Sequence, residues 1–165
     1  MTAPPTSGTV VSLPTDRQIL ITREFDAPAR LVYAAWTTPE LVERWWHAKR
    51  GRVTNVEIDL RVGGAWRQVM VTPDGFEVAF HGVYRELVPG ERIVCTEVYE
   101  GAPDAEALDT ITFTEVDGRT RLEILVEHAS RADRDMHIES GMEDGLRDAL
   151  VLLEEVARSL PGGDV

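Results

Sequence analysis

Residues 25–46 read F-D-A-P-A-R-L-V-Y-A-A-W-T-T-P-E-L-V-E-R-W-W: two short helices in a row, each opened by a proline, ending on paired tryptophans. Pro28 and Pro39 suit first helical positions, where the missing N–H costs nothing and φ is already helical. Thr38 offers a hydroxyl to cap the second helix. Leu31, Val32, Ala35 and Trp36 recur at helical spacing, as do Leu41, Val42, Trp45 and Trp46 after the second proline. Helices of about two turns do not stand alone in water. They need a larger body to lean on, and the flanking sequence supplies it.

From Arg52 onward the apolar period becomes two. The apolar-rich runs are 53–60, 65–72, 76–88, 92–99, 110–116 and 119–128. Between them stand Gly63-Gly64, Pro73-Asp74-Gly75, Pro89-Gly90 and Asp117-Gly118, which supply preset φ, Asx turns and left-handed glycine. The least regular link, 100–109, is an acidic loop holding Gly101 and Pro103. Links this short join antiparallel neighbours. Residues 18–26 predict a further strand with Ile19, Ile21 and Phe25 on one side, and 9–13 a candidate edge strand. The last element reads as one long helix over 131–160. Ser130 with Asp133 resembles a capping box at its start, and Pro161-Gly162-Gly163 ends it. Met142, Leu146, Ala149, Leu150, Leu153, Ala157 and Leu160 form its apolar stripe, with Glu143–Arg147 and Glu154–Arg158 at the supportive i,i+4 spacing. Gly141 and Gly145 interrupt it. Either they let the helix approach the sheet closely, or they leave room for a ligand beside Met142. The fold class is α+β: a curved antiparallel sheet of about seven strands wrapped on a long C-terminal helix, with two short helices after the first strand. One domain is expected over 16–160, with flexible tails at 1–15 and 161–165.

Composition narrows the function classes. At 165 residues with 43% hydrophobic residues, one globular domain with a real core is expected. No window offers the roughly 18 uninterrupted apolar residues of a membrane span, and the first fifteen residues lack the basic and apolar regions of a secretory signal. The single Cys95 excludes an intrachain disulfide and fits a reducing, cytoplasmic setting. A formal charge of −12 argues against nucleic acid or an anionic membrane as partner. Arg44, Lys49, Arg50 and Arg52 read as a solvated helix end. His47, His81, His128 and His137 lack metal-ligand spacing, so no metal site is expected. Nucleophile-elbow, phosphate-loop and dinucleotide motifs are missing, so no catalytic residue and no cofactor are assigned. Cys95 reads as a buried strand cysteine rather than a nucleophile.

Several short motifs occur in one order: Asp16-Arg17, Arg23-x-Phe25-Asp26-Ala27-Pro28, Ala35-Trp36-Thr37-x-Pro39, Trp45-Trp46, Gly63-Gly64-x-Trp66, Gly82-x-Tyr84-x-Glu86, Pro89-x-Glu91-Arg92 and Ser140-Gly141-Met142-x-x-Gly145. In these the chain resembles the SRPBCC (START-like, birch-pollen-allergen-like) superfamily. Within it the likeness is to the family of the heat-shock-protein-90 ATPase activator C-terminal domain and the calicheamicin-resistance-protein-like group. The resemblance implies a helix-grip fold with an apolar cavity between sheet and long helix. It does not by itself fix function.

Strand alternation nominates the lining of such a cavity. Trp66, Gln68 and Met70 share one face, as do Val78, Phe80, Gly82 and Tyr84. Ile93, Cys95 and Glu97 follow, then Ile111 and Phe113, then Leu122, Ile124, Val126 and His128. Trp45 or Trp46 closes the mouth while the other packs outside, since neighbours cannot both face inward. With Met142 and Leu146 from the helix, the candidate ligand-binding residues are Trp45, Trp46, Trp66, Gln68, Met70, Phe80, Tyr84, Cys95, Glu97, Phe113, His128, Met142 and Leu146. Each aromatic among them has plain core packing as its alternative. Gln68, Tyr84, Glu97 and His128 are the groups that would orient a guest, unless they sit at wet strand ends. Three functions stay open. The first is binding or sequestering a small hydrophobic or aromatic molecule. The second is a co-chaperone role on a chaperone ATPase, which the resemblance implies. The third is a cyclase- or hydrolase-like enzyme using Tyr84, Glu97 and His128 as acid–base groups. A homodimer is a further partner class that the sequence admits.

Overall fold

Along β2 (Gln18–Phe25) every second side chain is buried, as a strand with one covered face requires. The same alternation runs through β7 (Ala107–Val116) and β8 (Arg119–His128). A computed structural model describes residues 8–161 of the chain. With β1 (Val10–Ser12), β3 (Arg52–Ile58), β4 (Ala65–Val71), β5 (Glu77–Val88) and β6 (Arg92–Tyr99), these strands make one eight-stranded sheet in the order β1-β2-β8-β7-β6-β5-β4-β3. Every neighbouring pair is antiparallel. The eighth strand is the edge strand expected near residues 9–13, so residues 8–15 are not wholly tail. The remaining parts of the expected tails, 1–7 and 162–165, lie outside the described residues.

Between β2 and β3 lie α1 (Ala29–Thr37) and α2 (Pro39–Val42). Pro39 takes the first turn of α2, as expected, but Pro28 is the N-cap of α1 rather than its first residue, and Thr38 caps α2 without a side-chain hydrogen bond. The second helix is also shorter than its apolar spacing predicts. After Val42 the chain tightens, with Arg44 N–H donating to Leu41 O and Trp45 N–H to Val42 O, then leaves through Ala48 and Lys49 at φ 51° and 62°.

The expected single C-terminal helix is two. α3 (Arg131–Glu139) opens on Ser130, whose Oγ accepts from Asp133 N–H at 3.1 Å. It stops at Ser140, and α4 (Met142–Ser159) begins after Gly141. Gly141 sits at φ 84°, a left-handed conformation that only glycine adopts without strain, so the break is written in the sequence at that residue. α4 lies across the concave face of the sheet, burying Ala149, Leu150, Leu153, Val156 and Ala157. The Glu143–Arg147 pair forms at 2.6 Å. Glu154 instead turns inward to Arg23 at 3.2 Å and accepts from Asp26 N–H at 2.7 Å. This is the helix-grip arrangement. No helix among the described residues is long and apolar enough to cross a membrane.

Candidate functional site

The register aligns the concave face into rows. One row runs Ile21, Ile124, Ile111, Ile93 and Leu87 across β2, β8, β7, β6 and β5. The next runs Ile19, Val126, Asp109, Cys95 and Tyr84. A third sets Glu97 opposite Ala107 and Ala107 opposite His128. The second and third rows thus carry acidic groups where the first is wholly apolar.

Over these rows, beneath the N-terminal half of α4, lies a cavity of about 270 Å³. That is a little under the roughly 300–1,000 Å³ usual for small-molecule sites. Its walls are mostly apolar and aromatic, with Trp36, Trp45, Trp46, Trp66, Phe80 and Tyr84 among them. Trp45 stacks on Trp36 at 5.0 Å, and its indole N–H donates to Ala35 O at 2.9 Å. Trp46 meets Phe80 edge to face at 6.0 Å. Both neighbours therefore line the cavity, against the expectation that one must turn away. They sit on tight turns rather than a regular helix, Trp45 against Trp36 and Trp46 against Phe80.

Of the thirteen expected residues, Trp45, Trp46, Trp66, Gln68, Met70, Phe80, Tyr84, Cys95, Glu97, Met142 and Leu146 line the cavity. Phe113 does not; it packs against Tyr33 at 5.5 Å and Trp36 at 6.5 Å, filling the space under α1. Nor does His128, whose Nε2 lies 3.0 Å from Nδ1 of His137. His137 is the residue of that pair on the cavity wall. The Tyr84–Glu97–His128 set is not assembled. Glu97 and His128 stand on either side of β7, about 9–10 Å apart at the usual strand spacing.

The partner of Glu97 is Asp109, which sequence reading placed in a loop. β7 begins at Ala107, so Asp109 falls two residues before Ile111 on the same inward face. Extending the Ile111–Phe113 alternation backwards by one step would have found it. Glu97 is half-buried and lines the cavity. Burial first, then the charge of Glu97, raises Asp109 well above the usual carboxylate range. Burial also raises Glu97, while the hydrogen bond from Asp109 acts the other way. The pair thus holds a proton on Asp109 that it donates to Glu97. Burial pushes up the Cys95 thiol and the Tyr84 phenol, so both stay protonated and Cys95 is no nucleophile. His137 is lowered to about 4 by burial and then by His128 beside it.

Two polar atoms of the lining residues are buried with no partner in the protein, Trp66 Nε1 and Asp109 Oδ1, and behind His137 so is His128 Nδ1. At the mouth, Arg50 binds Asp148 at 2.7 Å and Ala48 O at 2.8 Å. A Cβ on Gly145 would meet nothing nearer than Arg50 Nε at 3.9 Å, so this glycine leaves space rather than permitting close packing. Gly82 does the reverse, since a Cβ there would lie 1.8 Å from Thr96 O and 2.6 Å from Trp66 Nε1. Among the described residues no three His, Cys, Asp or Glu side chains gather to hold a metal.

Residues 26–158 match the family model described as activator of Hsp90 ATPase homolog 1-like protein. No curated protein matches the chain by sequence. Among solved structures, a protein from Rhodobacter sphaeroides superposes with a TM-score of 0.85 at 26% identity, covering 92% of this chain and 99% of that one. One from Chromobacterium violaceum gives 0.73 at 29%, covering 84% and 96%. An AHSA1-like protein from Aeromonas hydrophila gives 0.65 at 21%, covering 82% and 92%, a likeness of fold.

Proposed function

We propose that this chain, which belongs to the activator of Hsp90 ATPase homolog 1-like family, binds a small apolar or aromatic molecule between its sheet and α4. The observation that carries this reading is the cavity itself: aromatic walls around about 270 Å³, with a few convergent polar groups set into them. A ring entering there exchanges water for apolar surface, worth about 25 cal/mol per Å² buried.

Thermal unfolding against a panel of neutral probes (indole, naphthalene, alkylbenzenes) tests the reading. At a hundredfold excess over Kd, binding adds about 2.7 kcal/mol, which raises Tm by roughly 5–10 °C in a domain of this size. A Tm that ignores the whole panel contradicts the proposal.

A further inference from the structure

The cavity walls carry an acidic pair and no free cation to answer it. Among the described lining residues the carboxyl groups are Glu97 and Asp109, which share one proton, and the cation is Arg50, with His137 neutral near pH 7. Arg50 lies at the mouth and is already committed to Asp148 at 2.7 Å. Asp109 is 8% exposed, and its Oδ1 has no partner. An acidic group buried in apolar surroundings either keeps a proton or meets a positive charge. Around it stand six aromatic side chains, Trp36, Trp45, Trp46, Trp66, Phe80 and Tyr84. The faces of such rings attract a cation through their quadrupole, tryptophan most strongly. Carboxylate floor and aromatic wall therefore favour the same kind of guest.

Resting on the binding role above, we infer that the cavity selects an arylalkyl amine in its ammonium form, seated on the Glu97–Asp109 pair with its ring among the tryptophans. Neutral molecules of the same shape gain the apolar contacts alone. Carboxylates of that shape meet like charge. The amine thus stands out by its head group and not by its skeleton.

Three probes sharing one skeleton separate these contributions: 2-(1-naphthyl)ethylamine, 2-(1-naphthyl)ethanol and 1-naphthylacetate, titrated calorimetrically at pH 7. The amine should bind about tenfold tighter than the alcohol, as one hydrogen bond to a charged carboxylate would give, and the acetate should bind weakest. The Glu97→Gln/Asp109→Asn double variant should bind the amine no more tightly than the alcohol. An alcohol that binds wild type as tightly as the amine overturns this inference and leaves the apolar-binding role standing. So does an amine preference that survives in the double variant. If none of the three binds, both fail. Should the double variant not fold, the ranking on wild type decides alone.

Discussion

The two ends of the space between sheet and α4 share strands and helix, but one end is filled and the other hollow. Under α1, Phe25, Val32, Leu122, Leu150 and Leu153 are 0–1% exposed, and Phe113 closes against Tyr33 and Trp36. Under the N-terminal half of α4, Met142, Gly145 and Leu146 are only half-buried, and Asp109, Cys95 and Glu97 face the space beneath them. The filled end gives stability. Both ends hold buried polar atoms without a partner, but those of Arg23 at the filled end belong to a guanidinium joined to Glu154 and lying over Phe25, whereas Asp109 at the hollow end lines the open space.

The contrast breaks most visibly on truncation. Leu153→Ala should cost about 2–5 kcal/mol in urea unfolding, because a fully buried leucine leaves a void in a close-packed region. Met142→Ala, on the wall of a space already open, should cost under about 1 kcal/mol. Equal losses would mean the two ends are packed alike.

Next in size is the acid limb of stability. His137 titrates at about 4 when folded against 6.5 when free, so between those values the unfolded chain binds more protons. Stability therefore rises with pH across that window, by up to about 3 kcal/mol at 1.36 kcal/mol per unit. His137→Asn should flatten the rise in a pH series of unfolding midpoints. An unchanged slope would place the histidine pair in water rather than at the cavity wall.

The carboxyl pair acts with the opposite sign. Asp109 holds its proton more tightly when folded, so its contribution is complete below about pH 4 and is lost as pH rises through its folded value. Asp109→Asn keeps the shape and removes that loss. The variant should be more stable than wild type at pH 7.5, as midpoints of urea unfolding would show. A less stable variant with the same pH slope would show that burial does not raise Asp109.

The smallest effect is the most pointed. Gly145 lies inside α4 with open space at its Cβ, so Gly145→Ala should add up to about 1 kcal/mol of stability through helix propensity. The same methyl narrows the mouth beside Arg50, so uptake of a naphthyl probe should fall. Stability gained and binding lost together would set the hollow end apart from the filled one.

Legibility in the sequence divides along the same line. Alternation along β8 placed Leu122, Ile124 and Val126 inward, as found, because one covered face imposes a period of two. The stripe on α4 was equally readable. The break at Gly141 was not, since a glycine inside a helical pattern reads the same whether it packs, kinks or caps until φ is known. The start of β7 was missed for a related reason: Ala107 and Asp109 carry little apolar signal, although the alternation of β7 puts both on the inward face. His128 sat on the expected face yet turned its Nε2 to His137 of α3, an element that the unbroken-helix reading had placed elsewhere.

The most direct measurement is a crystal structure of the protein soaked with 1-bromonaphthalene, read from the anomalous signal of bromine. One strong peak between Trp66, Met70 and Met142 is the expected result. No peak there, or bromine scattered over the outer surface alone, would contradict a ligand-binding cavity beneath α4.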